Sequence, residues 1–268
     1  MKDIISSIVD ISQVTDELPF SVYSSVYEQK ILNVPVSKPL LIVVINGDKH
    51  LGQQREVVCR AGQFIFLSDS PAVHMRNIPI DNSYYALLIE FDYEDFADLP
   101  AHEAKSAEYI LGDTTASLQQ CLQQFIDCCA WAPEAILALR RKEILLLLYH
   151  LGYVGVISMM GKPKLSHKIH DLFHERNFQE LSLDSICDHF AMSESTLRRK
   201  LKSEDTSLKA LKDNARLGFS LHLLQTTSHP IGLIAEKCGY SSQSRFTERF
   251  KTHFGLTPSS LRKTKLEE

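Results

Sequence analysis

Two short stretches near the carboxy end gather hydrogen-bonding and cationic side chains at a spacing that one helix face would present together. Successive helical residues turn by about 100°. Over residues 193–204 this turns Ser195, Arg198, Arg199 and Lys202 away from Leu197 and Leu201. Over residues 241–253 it turns Ser244, Arg245, Glu248 and Lys251 away from Phe246 and Phe250, with Gln243 at the start of the same face. The chemistry such faces offer is recognition of base edges. Arginine pairs with the two acceptors of guanine, glutamine suits adenine, and a glutamate accepts from cytosine or orients a neighbouring arginine. For either face alone, a merely solvated surface helix is an equal reading. Two such faces in one chain favour nucleic acid.

The surrounding sequence supplies elements to position them. Residues 183–190 and 231–238 each form a short amphipathic helix, followed by a turn and then one of the polar helices, so two helix-turn-helix units are expected. Ser193 suits the cap of the first polar helix, Ser241 or Ser242 that of the second, and Gly239 ends the helix before it. Residues 207–225 read as a connecting helix with one buried side. About 19 residues at 1.5 Å each span roughly 28 Å, near the ~34 Å repeat of duplex DNA. Backbone amides near Ser185 and Ile231 are placed to meet phosphates.

Charge divides the chain in the same sense. The total is −4, but residues 162–268 carry 18 Lys and Arg against 13 Asp and Glu, while residues 1–161 carry 11 against 20. A basic half follows an acidic one, and Gly161-Lys162-Pro163-Lys164 marks the boundary between an amino-terminal domain, 1–161, and a carboxy-terminal domain, 162–268.

The carboxy-terminal stretch PIGLIAEKCGYSSQSRFTERFKTHFGLTPSSLR resembles the second helix-turn-helix signature of the AraC/XylS family of bacterial transcription regulators. Ile231, Ile234, Ala235, Gly239, Tyr240, Ser244, Phe246, Arg249, Phe250, Lys251, Gly255, Thr257, Pro258 and Arg262 hold the motif positions. Arg216, Leu223 and Leu224 fit the family's linker helix, with Ser220 where alanine is usual. The resemblance covers about residues 165–262. It implies double-stranded promoter DNA as partner, RNA polymerase as a second one, and action as an activator. It also implies base contacts from Ser195, Arg198 and Arg199 in the first unit, and from Gln243, Ser244, Arg245 and Glu248 in the second; Lys202, Arg249 and Lys251 complete the expected DNA-binding set. Phe246, Phe250 and Phe254 recur every four residues and are expected in the core.

The acidic half reads as short strands over about 20–96, with Asn46-Gly47 as a hairpin turn, followed by helices over about 115–160. The fold class expected is α+β: a cupin-like β-barrel or sandwich with helices, then an all-α domain. By the same resemblance the β-domain senses a small-molecule effector or a regulatory protein and dimerises, here through residues 117–150. A module acting mainly as a repressor or by sequestering a partner is the alternative. The uncharged run 144–160 reads as buried protein and not as a membrane anchor, since His150, Ser158, Gly152 and Gly155 interrupt it.

Cofactors and catalysis find no carriers. His50, His74 and His102 lack H-x-H spacing; His167, His170 and His174 share a helix face but lack a fourth ligand, so packing is the preferred reading. Cys128-Cys129 reads as core more than as a redox switch. Six cysteines without a C-x-x-C pair, and no apparent leader, suggest a cytoplasmic protein. Neither a nucleotide-binding glycine loop nor a nucleophile elbow stands out, so no enzyme is expected.

Overall fold

In the computed structural model, which describes residues 2–12, 18–53, 56–68, 70–97, 99, 107–159, 164–176, 178 and 181–265, two antiparallel sheets form the amino-terminal part. The strands are β1 (Ser21–Ser25), β2 (Gln29–Val36), β3 (Leu40–Asn46), β4 (Asp48–Leu51), β5 (Val57–Arg60), β6 (Gln63–Leu67), β7 (Ser70–Ile78), β8 (Tyr84–Glu90) and β9 (Tyr109–Asp113). One sheet has the order β1-β8-β3-β6-β9 and the other β2-β7-β4-β5. This is the cupin-like domain expected from the sequence.

The unbroken apolar run of β3 has a simple cause: both of its faces are covered. Leu40, Ile42 and Val44 point between the sheets, where they meet Ile31, Leu51 and Tyr84. Leu41, Val43 and Ile45 point the other way, onto three helices: α1 (Lys2–Ser12), α2 (Ala116–Cys128) and α3 (Glu134–His150). Gly47 turns β3 into β4 at φ 76°, where a Cβ would lie 2.6 Å from the Ile78 carbonyl oxygen. Only glycine fits there.

Helix α3 buries Leu137, Ile144, Leu145 and Leu148, and a short α4 (Gly155–Ser158) adds Val156. The uncharged run 144–160 is thus shared between two helices. Among the described residues, no helix is long and apolar enough to cross a membrane. Arg141 is buried on α3 and held by Asp95 at 2.8 Å and Glu134 at 2.9 Å.

The carboxy-terminal part is helical: α5 (Leu165–Glu175), α6 (Leu183–His189), α7 (Glu194–Ser203), α8 (Leu208–Thr226), α9 (Ile231–Lys237), α10 (Gln243–Phe254) and α11 (Pro258–Arg262). The expected boundary at 161–164 lies mostly outside the described residues. The sandwich interior is continuous with the second helical unit, because Ile31, Val34 and Val36 share one buried cluster with Leu217, Leu221, Phe246, Phe250 and Phe254. The first unit has a separate core built on Ile169, Phe173, Ile186, Leu197 and Leu201.

Candidate nucleic-acid interface

Each polar helix is fixed by its cap and by apolar residues one turn apart. The Ser193 hydroxyl accepts from the Thr196 amide at 3.3 Å and starts α7; Leu197 and Leu201 anchor it. The Ser242 hydroxyl accepts from the Arg245 amide at 3.3 Å and starts α10, whose Phe246, Phe250 and Phe254 are buried. Gly255 closes α10 in the left-handed conformation at φ 80°. These caps each contribute about 1 kcal/mol. Between the units α8 runs for 19 residues. Ser220, at the position where the family favours alanine, is buried on α8 and satisfied by the Leu217 carbonyl at 2.8 Å.

All ten residues expected to face DNA are exposed, and the buried side chains of the two helices point the opposite way. Two of the arginines are braced. Arg198 Nε donates to Glu194 one turn earlier at 2.6 Å, and Arg249 reaches Asp213 of α8 at 2.6 Å. Both pairs are on the surface and contribute little to stability; their effect is to aim the guanidinium groups. Arg199, Lys202, Arg245 and Lys251 form no ion pair among the described residues, which leaves their charge for phosphate or base. Gln243 reaches back over α9, its Oε1 standing 3.0 Å from the place a Cβ on Gly232 would take. The amides opening α6 are part of its cap, with Ser185 N donating to the Ser182 hydroxyl at 3.0 Å; Pro230 precedes Ile231 at the start of α9.

The sequence reading did not anticipate how the β-domain holds both units. Asn33 of β2 and His253 of α10 bond each other through two contacts of 2.9 Å. The Ser37 hydroxyl meets His170 of α5 at 2.9 Å, and Lys38 bridges Asp92 at 2.7 Å and Asp171 of α5 at 3.2 Å. The Ser21 hydroxyl meets His222 of α8 at 3.2 Å. The three histidines of α5 are therefore packing residues: His167 bonds and stacks on Tyr93, and His174 lies against Phe178 and Phe219. Burial pushes the His174 imidazole down to about 3, with His170 and Lys38 adding to the effect.

A row of polar side chains crosses the interior face of the smaller sheet. Gln29, Asn77, Lys49 and Cys59 are successive cross-strand partners on β2, β7, β4 and β5. Lys49 is 1% exposed and donates to Asn77 Oδ1 at 2.8 Å; Asn77 donates to Gln29 at 2.8 Å. Gln29 accepts from Gln225 of α8 at 3.0 Å and donates to Thr264, just beyond α11, at 2.9 Å. No carboxylate lies beside Lys49 among the described residues, and burial lowers its ammonium to about 8. It also pushes the neighbouring Cys59 thiol up to about 12.

Other candidates resolve as structure. His50 pairs with Glu56 at 3.0 Å and His74 accepts from the Asn33 amide at 3.4 Å, while His102 lies outside the described residues. Among the described residues, no cluster of His, Cys, Asp and Glu is arranged to hold a metal. Cys128 and Cys129 both donate to the Phe125 carbonyl, at 3.1 and 3.0 Å, and burial raises both thiols, Cys129 to about 12. Such thiols are poor nucleophiles.

Residues 186–264 match a family model described as a helix-turn-helix domain. The HTH-type transcriptional regulator YdeO of Escherichia coli (strain K12) is 33% identical over 112 residues, 42% of this chain and 44% of YdeO. The urease operon transcriptional activator of Escherichia coli is 25% identical over 154 residues, 56% of this chain and 51% of that protein. The chain thus spans about half the length of the curated relatives it matches. The fold as a whole is similar to that of ToxT from Vibrio cholerae strain SCE256, solved with an unsaturated fatty acid bound: TM-score 0.63, 14% identity, covering 95% of this chain and 99% of ToxT.

Proposed function

We propose that the chain is a sequence-specific DNA-binding transcription regulator of the AraC type, acting as an activator and not as an enzyme; the helix-turn-helix match over residues 186–264 supports this reading. The observation that carries this reading is the outward exposure of ten hydrogen-bonding or charged side chains on α7 and α10, the helices on either side of α8 in the chain order of the two units. Arg199 and Arg245 read bases. Ser195, Gln243, Ser244 and Glu248 complete the base-edge set, and Arg198, Lys202, Arg249 and Lys251 share base and phosphate contacts. Contact with RNA polymerase follows from the family.

The division into a regulatory domain, 1–161, and a DNA-binding domain, 162–268, assigns signal reception to the sandwich. A small-molecule effector or a regulatory protein acts there, as ToxT is known with a fatty acid. The shared core and the Asn33–His253 contact give such a signal a mechanical route to α10. Dimerisation uses residues 117–150. This reading is supported by Trp131, 70% exposed in the turn that joins α2 and α3, and by a groove of about 520 Å³ between the two helices, lined by Leu139, which is 61% exposed. Large apolar side chains so exposed favour an interface.

Mapping of bound sites across the native genome tests the function. Enrichment at a small set of promoters, weakened by Arg199→Ala and by Arg245→Ala, is the expected outcome. Uniform recovery of the genome by all three proteins would refute it.

A further inference from the structure

The two helix-turn-helix units are repeats of one design, and the differences between them locate a hollow. Counting from the capping serines Ser193 and Ser242, the fourth, eighth and twelfth residues are Leu197, Leu201 and Asp205 in the first unit. In the second they are Phe246, Phe250 and Phe254. The second unit fills its interior with three rings packed edge-on or tilted against one another, with centroids 5.6 Å and 4.5 Å apart along the series. The first has two leucines and an exposed aspartate in their place. Space is left as a result.

That space is a pocket of about 690 Å³ among α5, α6, α7 and the start of α8. Its floor is Phe173, Ile186, Leu197 and Leu201, all buried. Arg198, Lys202, Lys209 and Lys212 stand around it; Arg198 is paired with Glu194, none of the described lining residues is itself acidic, and the three lysines form no ion pair among the described residues. The volume falls within the range of small-molecule sites, which are mostly apolar with a few polar groups to orient the ligand. An apolar floor below a ring of cations has an obvious complement.

We propose that this pocket binds a single-chain amphipathic anion, its hydrocarbon tail taking the place of the missing rings and its acidic head group pairing with the lysines and arginine of the rim. The site lies in the DNA-reading domain, apart from the sandwich to which effector reception is assigned. Arg198 and Lys202 belong both to the rim and to the reading face of α7, so an occupied pocket withdraws two cations from DNA. Occupancy itself is independent of the DNA-binding reading; the competition rests on it.

Dodecanoate, used below its micelle concentration with dodecanol as the uncharged control, tests the proposal on the full chain. Calorimetry should show one dodecanoate per chain and at least tenfold weaker binding of dodecanol. Leu201→Phe, which restores the ring of the second unit, should weaken dodecanoate at least tenfold while leaving the melting temperature unchanged or higher. Lys209→Gln with Lys212→Gln should weaken it by a similar factor through the head group, and so keeps the test valid if Leu201→Phe misfolds. A dodecanoate carrying a photoreactive tail should label residues 181–208. Labelling confined to the sandwich strands or to the groove between α2 and α3 would overturn the site, as would unchanged affinity in the variants. With promoter DNA, dodecanoate should weaken protection of the half-site read by α7 first. If binding to the pocket persists while protection is unaffected, the competition and the assignment of α7 fail, and the pocket stands.

Discussion

Asn33 and His253 hold one another across the two domains: Asn33 Nδ2 donates to the His253 carbonyl, and His253 Nε2 donates to the Asn33 carbonyl, both at 2.9 Å. Asn33 sits at φ 49°, a left-handed conformation that Asn tolerates and that turns its carbonyl toward α10. An irregularity within β2, between Ile31 and Val34, thereby fixes the far end of a reading helix.

Removing either side of this contact should cost stability and uncouple the domains. Asn33→Gly retains the backbone conformation and removes the amide; His253→Ala removes the ring. Each should lose about 1–2 kcal/mol in urea unfolding. Because each substitution removes a different side-chain-to-backbone bond, the double variant should lose about the sum of the two, and a loss no larger than that of either single variant would show that the bonds form only together.

The domain interface should weaken in acid. His174, His222 and His253 are all held below the ordinary imidazole value, chiefly by burial, and His174 falls to about 3. Each favours its neutral form in the folded chain, so its contribution is complete above the unfolded value near 6.5 and is lost as pH falls toward the folded value. The groups facing them act in the same direction: the Asp171 carboxyl is held low by His170 and Lys38 against the effect of burial. Unfolding free energy should fall from pH 6.5 toward pH 3 by up to about 1.4 kcal/mol per pH unit through His174, with His222 and His253 acting in the same direction. His174→Phe should flatten that slope; an unchanged slope would exclude His174 as a source.

Much of this was legible before any coordinates. The reading faces of α7 and α10 depend on helical periodicity and caps, which are local, and the Asn46-Gly47 turn and the two-faced β3 are local too. Helix α1 was legible and overlooked: Ile4, Ile8 and Ile11 recur at helical spacing and are buried against the sandwich helices. The contacts of Asn33 with His253 and of Gln29 with Gln225 were not legible. They join residues 220 and 196 positions apart, and nothing in a polar side chain names so distant a partner. Lys49 in Gly-Asp-Lys-His reads as a turn residue, and only its register opposite Asn77 and Cys59 turns it inward.

Lys49 should be a stability cost that the fold carries. Its ammonium falls from 10.5 to about 8 through burial, equivalent to a penalty of about 3 kcal/mol on the charged form. Lys49→Met removes that penalty but orphans Asn77 Oδ1, which returns about 1–2 kcal/mol, so a net gain of about 1–2 kcal/mol at pH 7 is expected. The penalty on the wild-type lysine is complete below the folded value near 8 and vanishes above the unfolded value, so the difference between the two proteins should change between pH 8 and 10.5. A difference independent of pH over that range would place the lysine's charge elsewhere.

A methyl group should be unfavourable at the equivalent turns of both units, and more so in the second. Gly239 ends α9 at φ 74°, where a Cβ would lie 2.8 Å from Arg216 Nη2 and 3.0 Å from the Phe178 carbonyl oxygen. Ala191, at the corresponding turn after α6, holds φ 49° with its methyl exposed. Ala191→Gly should stabilise by about 0.5–1 kcal/mol, and Gly239→Ala should destabilise by about 2 kcal/mol or more. Thermal denaturation distinguishes them, and a loss of stability in Ala191→Gly would contradict the strain at that position.

The reading of α7 and α10 as a pair of DNA-reading helices is tested most directly by selecting bound duplexes from a random pool with the full chain and sequencing them. Two short conserved elements are expected, their centres about one helical turn, ~10.5 base pairs, apart on one face of the duplex. A single element, or no enrichment over the starting pool, would contradict that reading.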